Sequence, residues 1–123
     1  MAEGVRVLVA EDHPDTALSL AFMLGLEGYQ VHLARDGLAA VQAAAGYRPD
    51  VAIVDIGLPG MDGYEVARRL RQEPGLGPLL LIALTGHGRE EDIRRGREAG
   101  FDHYLVKPVE PAELLKLLPP GAP

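Results

Sequence analysis

Val51–Ala52–Ile53–Val54–Asp55, followed by Ile56–Gly57–Leu58–Pro59–Gly60–Met61, is the stretch on which the reading of this chain turns. Four apolar residues with no polar alternation describe a strand buried on both faces, the form strands take inside a parallel sheet. The run stops on a carboxylate, and glycine and proline then break the chain into a loop before a helical pattern with Val66, Ala67 and Leu70 on one side.

The same sentence is written elsewhere in the chain. Val5–Arg6–Val7–Leu8–Val9–Ala10 stops on Glu11–Asp12, and a helix follows from Pro14 to Leu26, with Asp12 or His13 able to cap it and Gly28 closing it. Its apolar side reads as Ala17, Leu18, Ala21, Leu24 and Leu26. Residues 29–34 read as a second strand, with an edge-like alternation, and Asp36 caps a helix carrying Leu38, Val41 and Ala45 toward the core. Residues 79–84 form a fourth strand leading to Thr85–Gly86–His87–Gly88. A charged helix spans about 90–99, a short strand 102–106 and a last helix 111–118.

Five strands alternating with five helices across short connections predict an α/β domain: a doubly wound, five-stranded parallel sheet with helices on both faces. Strands one, three and four are the most apolar and belong at its centre. Strand order is open at this level; the common order 2-1-3-4-5 would set strands one and three side by side. Residues 1–118 make one domain, a size at which a real core is expected. Pro119–Pro120–Gly121–Ala122–Pro123 reads as a flexible tail or the start of a linker.

Composition excludes several classes. With 12 basic against 18 acidic residues and a formal charge of −6, there is no basic excess to pair with a nucleic-acid backbone. The absence of cysteine removes disulfides, thiolate metal sites and a cysteine nucleophile. No apolar run is long enough to insert in a membrane and the start of the chain lacks a signal-like segment, so a cytoplasmic location is expected.

Ligands of open parallel sheets bind beyond the carboxyl ends of the strands. Here those ends carry Glu11, Asp12, Asp55, Thr85 and Lys107. One aspartate there would be an ordinary helix cap. Three acids, a hydroxyl and a lysine on four strands form a constellation. Clustered carboxylates repel and call for a cation, and an all-oxygen set suits Mg²⁺. Lys107 adds a movable positive charge, and Gly57 and Gly86 let backbone N–H groups approach closely. Magnesium, lysine and convergent donors suit a phosphoryl group with charge on three oxygens. A GxxxxGK[ST] loop is absent, so nucleotide binding of that kind is not indicated.

In order and spacing, Glu11–Asp12, Asp55, Thr85 and Lys107–Pro108 resemble the receiver domain of bacterial two-component response regulators. The surrounding context agrees over residues 5–118: Val7–Leu8–Val9–Ala10, Leu58–Pro59–Gly60–Met61–Asp62–Gly63, Ala83–Leu84, Ala99–Gly100–Phe101–Asp102 and Tyr104–Leu105–Val106. The resemblance implies the flavodoxin-like strand order 2-1-3-4-5 and a phosphorylation-dependent switch that is not an enzyme beyond assisting its own phosphorylation and dephosphorylation. It implies Asp55 as phosphoacceptor, with Mg²⁺ bound by Asp12, by Glu11 through water, by Asp55 and by the Gly57 carbonyl. Lys107 would pair with the phosphoryl group, aimed by a cis Lys107–Pro108 bond. Thr85 would turn inward to it, and Tyr104 would follow as the second switch residue.

The implied donor is a phosphohistidine on a histidine kinase or histidine phosphotransfer protein. An output domain or partner would be met through residues 89–118. The chain would be a monomer or weak homodimer, standing alone or taken from a hybrid kinase or longer regulator. Two positions depart from common receivers: Gly57 offers no side chain beside the acceptor, and His87 stands two beyond Thr85, which leaves the phosphoryl lifetime open. His13, His32 and His103 read as a helix-start, an edge-strand and a surface residue. A phosphoaspartate hydrolase would need a second acid where Gly57 stands. A degenerate, phosphorylation-independent binding module would have lost one of the key residues, and none is lost.

Overall fold

The computed structural model describes residues 4–86 and 88–120. Its elements run β1 (Arg6–Ala10), α1 (Pro14–Leu26), β2 (Gln30–Ala34), α2 (Gly37–Tyr47), β3 (Val51–Asp55), α3 (Gly63–Gln72), β4 (Leu80–Thr85), α4 (Glu90–Ala99), β5 (His103–Val106) and α5 (Pro111–Leu117). All strand pairings are parallel, in the order β2-β1-β3-β4-β5. The order expected from the resemblance is the order found, with β2 at an edge and β1, β3 and β4 inside.

The apolar strands feed two cores, because successive side chains point to opposite faces of the sheet. Leu8, Ala52, Val54, Leu81 and Ala83 face α2, α3 and α4 and meet Ala40, Ala44, Val66, Ala67, Leu70 and Ala99. Val7, Val9, Val51, Ile53, Ile82 and Leu84 face α1 and α5 and meet Leu20, Leu24 and Leu114. Continuous apolar character in these strands is thus the signature of burial on both sides.

Two helix faces differ from the sequence reading. In α1 the buried residues are Ala17, Leu20 and Leu24, whereas Leu18, Phe22 and Leu26 are 61%, 71% and 70% exposed. The helix is apolar on nearly every side, so pattern alone does not reveal which row meets the sheet. In α2 the buried residues are Gly37, Ala40 and Ala44, while Leu38 and Ala45 are exposed and Val41 is half-buried. Close approach is the cause: a Cβ on Gly37 would stand 2.3 Å from the Met61 carbonyl oxygen, so the small residues must face inward.

Caps follow sequence more closely. Asp36 accepts from the Ala39 N–H at 2.8 Å and Asp62 from the Glu65 N–H at 3.0 Å. Gly28 takes a φ of 91° after α1. His13 occupies the N-cap of α1, but its side chain makes no capping hydrogen bond. At the far end of the chain, the Tyr29 hydroxyl donates to the Pro119 carbonyl. His87 and the last three residues of the proline-rich tail lie outside the described residues.

Candidate functional site

Register places the acids. Val9 pairs with Ile53 and Ala10 with Val54, so the next residue of each strand brings Glu11 beside Asp55. Asp55 pairs with Leu84, and Thr85 with Val106, which sets Thr85 and Lys107 at the same rim. The Lys107 N–H donates to the Thr85 carbonyl at 2.7 Å, and the Lys107–Pro108 bond is cis, as the resemblance implied.

The lysine joins the two buried acids. Its Nζ lies 2.8 Å from Glu11 Oε1 and donates to Asp55 Oδ2 at 2.9 Å. The Gly57 N–H donates to Asp55 Oδ1 at 3.0 Å, and the His13 N–H to Glu11 Oε2 at 3.1 Å. Glu11 is only 1% exposed, and its Oε1 has the ion pair but no hydrogen bond of proper geometry. A buried carboxylate oxygen left in this state is costly unless something positive attends it.

Electrostatics separates the two acids. Burial pushes the Glu11 carboxyl up, against the Lys107 ammonium and with the neighbouring Asp55. Burial also works to raise Asp55, but Lys107, the Gly57 N–H and the Glu11 carboxyl together outweigh it and hold Asp55 below its ordinary value. Lys107 is raised: burial opposes its charge, yet Glu11 and Asp55 prevail. The same contacts favour the ionised form of Asp55, the state a nucleophilic carboxylate requires.

The backbone under Asp55 is built on a glycine that the sequence reading did not single out. A Cβ on Gly63 would stand 2.7 Å from the Asp55 carbonyl oxygen and 2.7 Å from the Ile56 Cα. The Gly63 N–H donates to the Ile56 carbonyl at 3.0 Å. The first residue of α3 is thus pressed against the loop that presents Asp55. Gly57 and Gly86 are different: a Cβ at 57 would meet only Asp55 Oδ1, at 3.7 Å, and a Cβ at 86 would meet nothing within 4 Å. Neither is glycine for lack of space.

Donors for a cation collect at the tip of β1. One ligand atom each from Glu11, Asp12 and His13 lies within 4.8 Å of the others. The carboxylates of Glu11 and Asp12 form a hard oxygen pair, which fits Mg²⁺. Asp55, expected among the ligands, adjoins this group with its oxygens engaged by Lys107 and Gly57.

Thr85 is 7% exposed at the end of β4. Tyr104 packs beneath α4, where a Cβ on Gly96 would come within 3.0 Å of its ring. The Tyr104 hydroxyl is buried without a hydrogen bond of proper geometry, close to the hydroxyl of Tyr64. Burial, then that neighbouring hydroxyl, push the Tyr64 phenol up. Arg95 of α4 stacks over the Tyr64 ring at 4.1 Å, and the Tyr64 hydroxyl makes a long contact to the Asp92 carbonyl at 3.5 Å. The sequence shows α4 only as a charged helix and gives no sign of this clamp, since Tyr64 looks like one more core residue of α3. His32 and His103 are exposed, as expected for an edge-strand and a surface residue.

Comparison with known proteins decides the family. Residues 7–119 match the response regulator receiver domain. This chain belongs to that family. An uncharacterized 14.6 kDa protein of Leptolyngbya boryana is 40% identical, covering 91% of this chain and 86% of its own length. The transcriptional regulatory protein TcrA of Mycobacterium tuberculosis is 42% identical over 94% of this chain, which spans 45% of that protein. Among solved structures, the receiver domain of sensor histidine kinase PA1611 from Pseudomonas aeruginosa superposes with a TM-score of 0.84, at 35% identity and 93% coverage of each chain. That structure holds a magnesium ion coordinated in its active-site cleft. The general role of the family, a phosphorylation switch in two-component signalling, therefore applies to this chain. Like other receivers it assists its own phosphoryl chemistry and is not an independent enzyme.

Proposed function

We propose that Asp55 accepts a phosphoryl group from a phosphohistidine in a Mg²⁺-dependent reaction, and that the resulting acyl phosphate reshapes the partner surface of residues 89–118. One observation carries this reading: Lys107 draws the buried Glu11 and Asp55 together at 2.8 and 2.9 Å and keeps Asp55 ionised.

In the forward step an Asp55 carboxylate oxygen attacks phosphorus in line, the P–N bond of the donor breaks, and the histidine nitrogen leaves with the electron pair. A magnesium ion held by Asp12, Asp55, the Gly57 carbonyl and, through water, Glu11 would offset the charge on the phosphoryl oxygens. Lys107 exchanges its bond to Asp55 for one to a phosphoryl oxygen. The Thr85 hydroxyl and the Gly57 and Gly86 N–H groups supply further donors. Reversal is hydrolytic: water attacks phosphorus, the P–O bond to Asp55 breaks, and inorganic phosphate leaves.

The phosphorylated aspartate carries about −1.5 to −2 charges, spread over phosphoryl oxygens, in place of the single charge of the carboxylate. Thr85 turns toward it, and Tyr104 moves with Thr85 against Gly96, which couples the site to α4. The donor we infer is a histidine kinase or histidine phosphotransfer protein, met in the cytoplasm. The domain we infer covers residues 1–118. Incubation with a small phosphodonor and Mg²⁺ should add one phosphoryl group to the intact mass, and Asp55→Ala should abolish the gain. No gain at saturating donor would instead favour a phosphorylation-independent binding module.

A further inference from the structure

We propose that His13 is a third protein ligand at the tip of β1, and that it turns this cation site toward borderline transition ions such as Co²⁺, Ni²⁺ or Zn²⁺ as well as Mg²⁺. The inference rests on the reading of Glu11 and Asp12 as the cation site and concerns which ions that site prefers.

Geometry brings the imidazole there. His13 Nδ1 lies 3.9 Å from Asp12 Oδ1, and two donors sharing an ion at about 2.1 Å each stand at most about 4.2 Å apart. One imidazole nitrogen of His13 and one carboxylate oxygen each of Asp12 and Glu11 fall within one 4.8 Å group. The turn that carries them is folded on itself, because the His13 N–H donates to Glu11 Oε2 at 3.1 Å. Glu11, 1% exposed, holds Lys107 Nζ 2.8 Å from its Oε1, so the buried acid is fixed in place beside Asp12 and His13.

The imidazole has no competing task. His13 sits at the N-cap of α1 without a capping hydrogen bond, and its side chain is 76% exposed. Turning it onto an ion breaks no packing. Chemistry then sets the preference: carboxylate, carbonyl and water suit Mg²⁺, whereas an added imidazole nitrogen suits Co²⁺, Ni²⁺ and Zn²⁺ and gains along the order of intrinsic affinity. His13 is thereby a specificity-determining residue for the metal. The other described histidines do not join it; His32 stands at the edge of the sheet against Tyr47.

The test is calorimetric titration of the full chain with Mg²⁺ and with Ni²⁺, for the wild type, His13→Ala and Asp12→Ala. The expected result is that His13→Ala weakens Ni²⁺ binding by about tenfold or more and changes Mg²⁺ binding less than about twofold. In the Co²⁺-loaded wild type a paramagnetically shifted imidazole resonance should appear, and it should vanish in His13→Ala. Equal loss for both ions, no loss of Ni²⁺ binding, or a shifted imidazole signal that survives His13→Ala overturns the inference. Asp12→Ala separates the two layers: if it leaves Mg²⁺ binding intact, the cation-site reading fails first.

Discussion

Lys107 and Glu11 form an ion pair in which the acid is almost completely buried and the base is not: the side-chain exposures are 0% and 28%, with Nζ 2.8 Å from Oε1. The same ammonium holds Asp55 at 2.9 Å. One cation therefore compensates two carboxylates, and its removal leaves both without a positive neighbour among the described residues. Breaking a fully buried pair costs about 3–5 kcal/mol; the partial exposure of Lys107 reduces the expectation to about 2 kcal/mol for Lys107→Met at neutral pH.

That loss depends on pH, with a definite sign. Asp55, held below its ordinary 3.8, adds stability above that pH and loses it as pH falls through the folded-state value. Glu11, raised above its ordinary 4.5, adds stability below 4.5 and loses it as pH rises through its folded-state value. Without Lys107, the main opposition to the rise of Glu11 is gone, so the variant loses more stability as pH climbs above 4.5. Urea denaturation from pH 4.5 to 8 should show a gap between wild type and Lys107→Met that widens with pH. A gap that narrows contradicts the assignment.

Gly63→Ala should strike the site through the backbone. Its methyl group would be placed 2.7 Å from the Asp55 carbonyl oxygen, and overpacking of this kind costs about 1–3 kcal/mol. The urea midpoint should fall, and phosphorylation of Asp55 should slow more than a pure stability loss explains. An unchanged rate in folded Gly63→Ala protein would show that this contact does not position the acceptor.

Tyr104→Phe removes a buried hydroxyl that lacks a proper hydrogen bond. Its stability should be unchanged or higher by up to about 1 kcal/mol, since the unsatisfied group carries a desolvation cost. A loss of more than about 1 kcal/mol would mean that the hydroxyl has a partner.

Gly57→Leu tests the open side of Asp55. A Cβ at this exposed position meets only Oδ1, at 3.7 Å, so the substitution fits without strain. An apolar side chain beside the carboxylate should shield the acyl phosphate from in-line water and lengthen its half-life several-fold, with stability within about 0.5 kcal/mol of wild type. A shorter half-life would contradict shielding.

Much of this was legible in the sequence where backbone chemistry is local. Strand runs ending on Asp55 and Glu11, the caps at Asp36 and the turn at Gly28 are each written in a few adjacent residues. Which face of a helix meets the sheet is a tertiary matter: Leu18 and Leu26 lie exposed because α1 is apolar nearly all round and the sheet selects Leu20 and Leu24. The same holds for α2, where the approach of Met61 to Gly37 overrides hydrophobicity. At the site, Asp55, Glu11 and Lys107 were visible as types at strand ends. Gly63 beneath Asp55 and Tyr64 under Arg95 were not, because their roles exist only once α3 is packed against the loop after β3 and against α4.

The most direct test of the central claim is chemical trapping of the phosphorylated residue. After incubation with a small phosphodonor and Mg²⁺, borohydride reduction followed by peptide mass spectrometry should convert Asp55, and no other acid, to homoserine. Conversion at Asp12 or Glu11, or phosphate recovered on a histidine with Asp55 unmodified, would contradict the account.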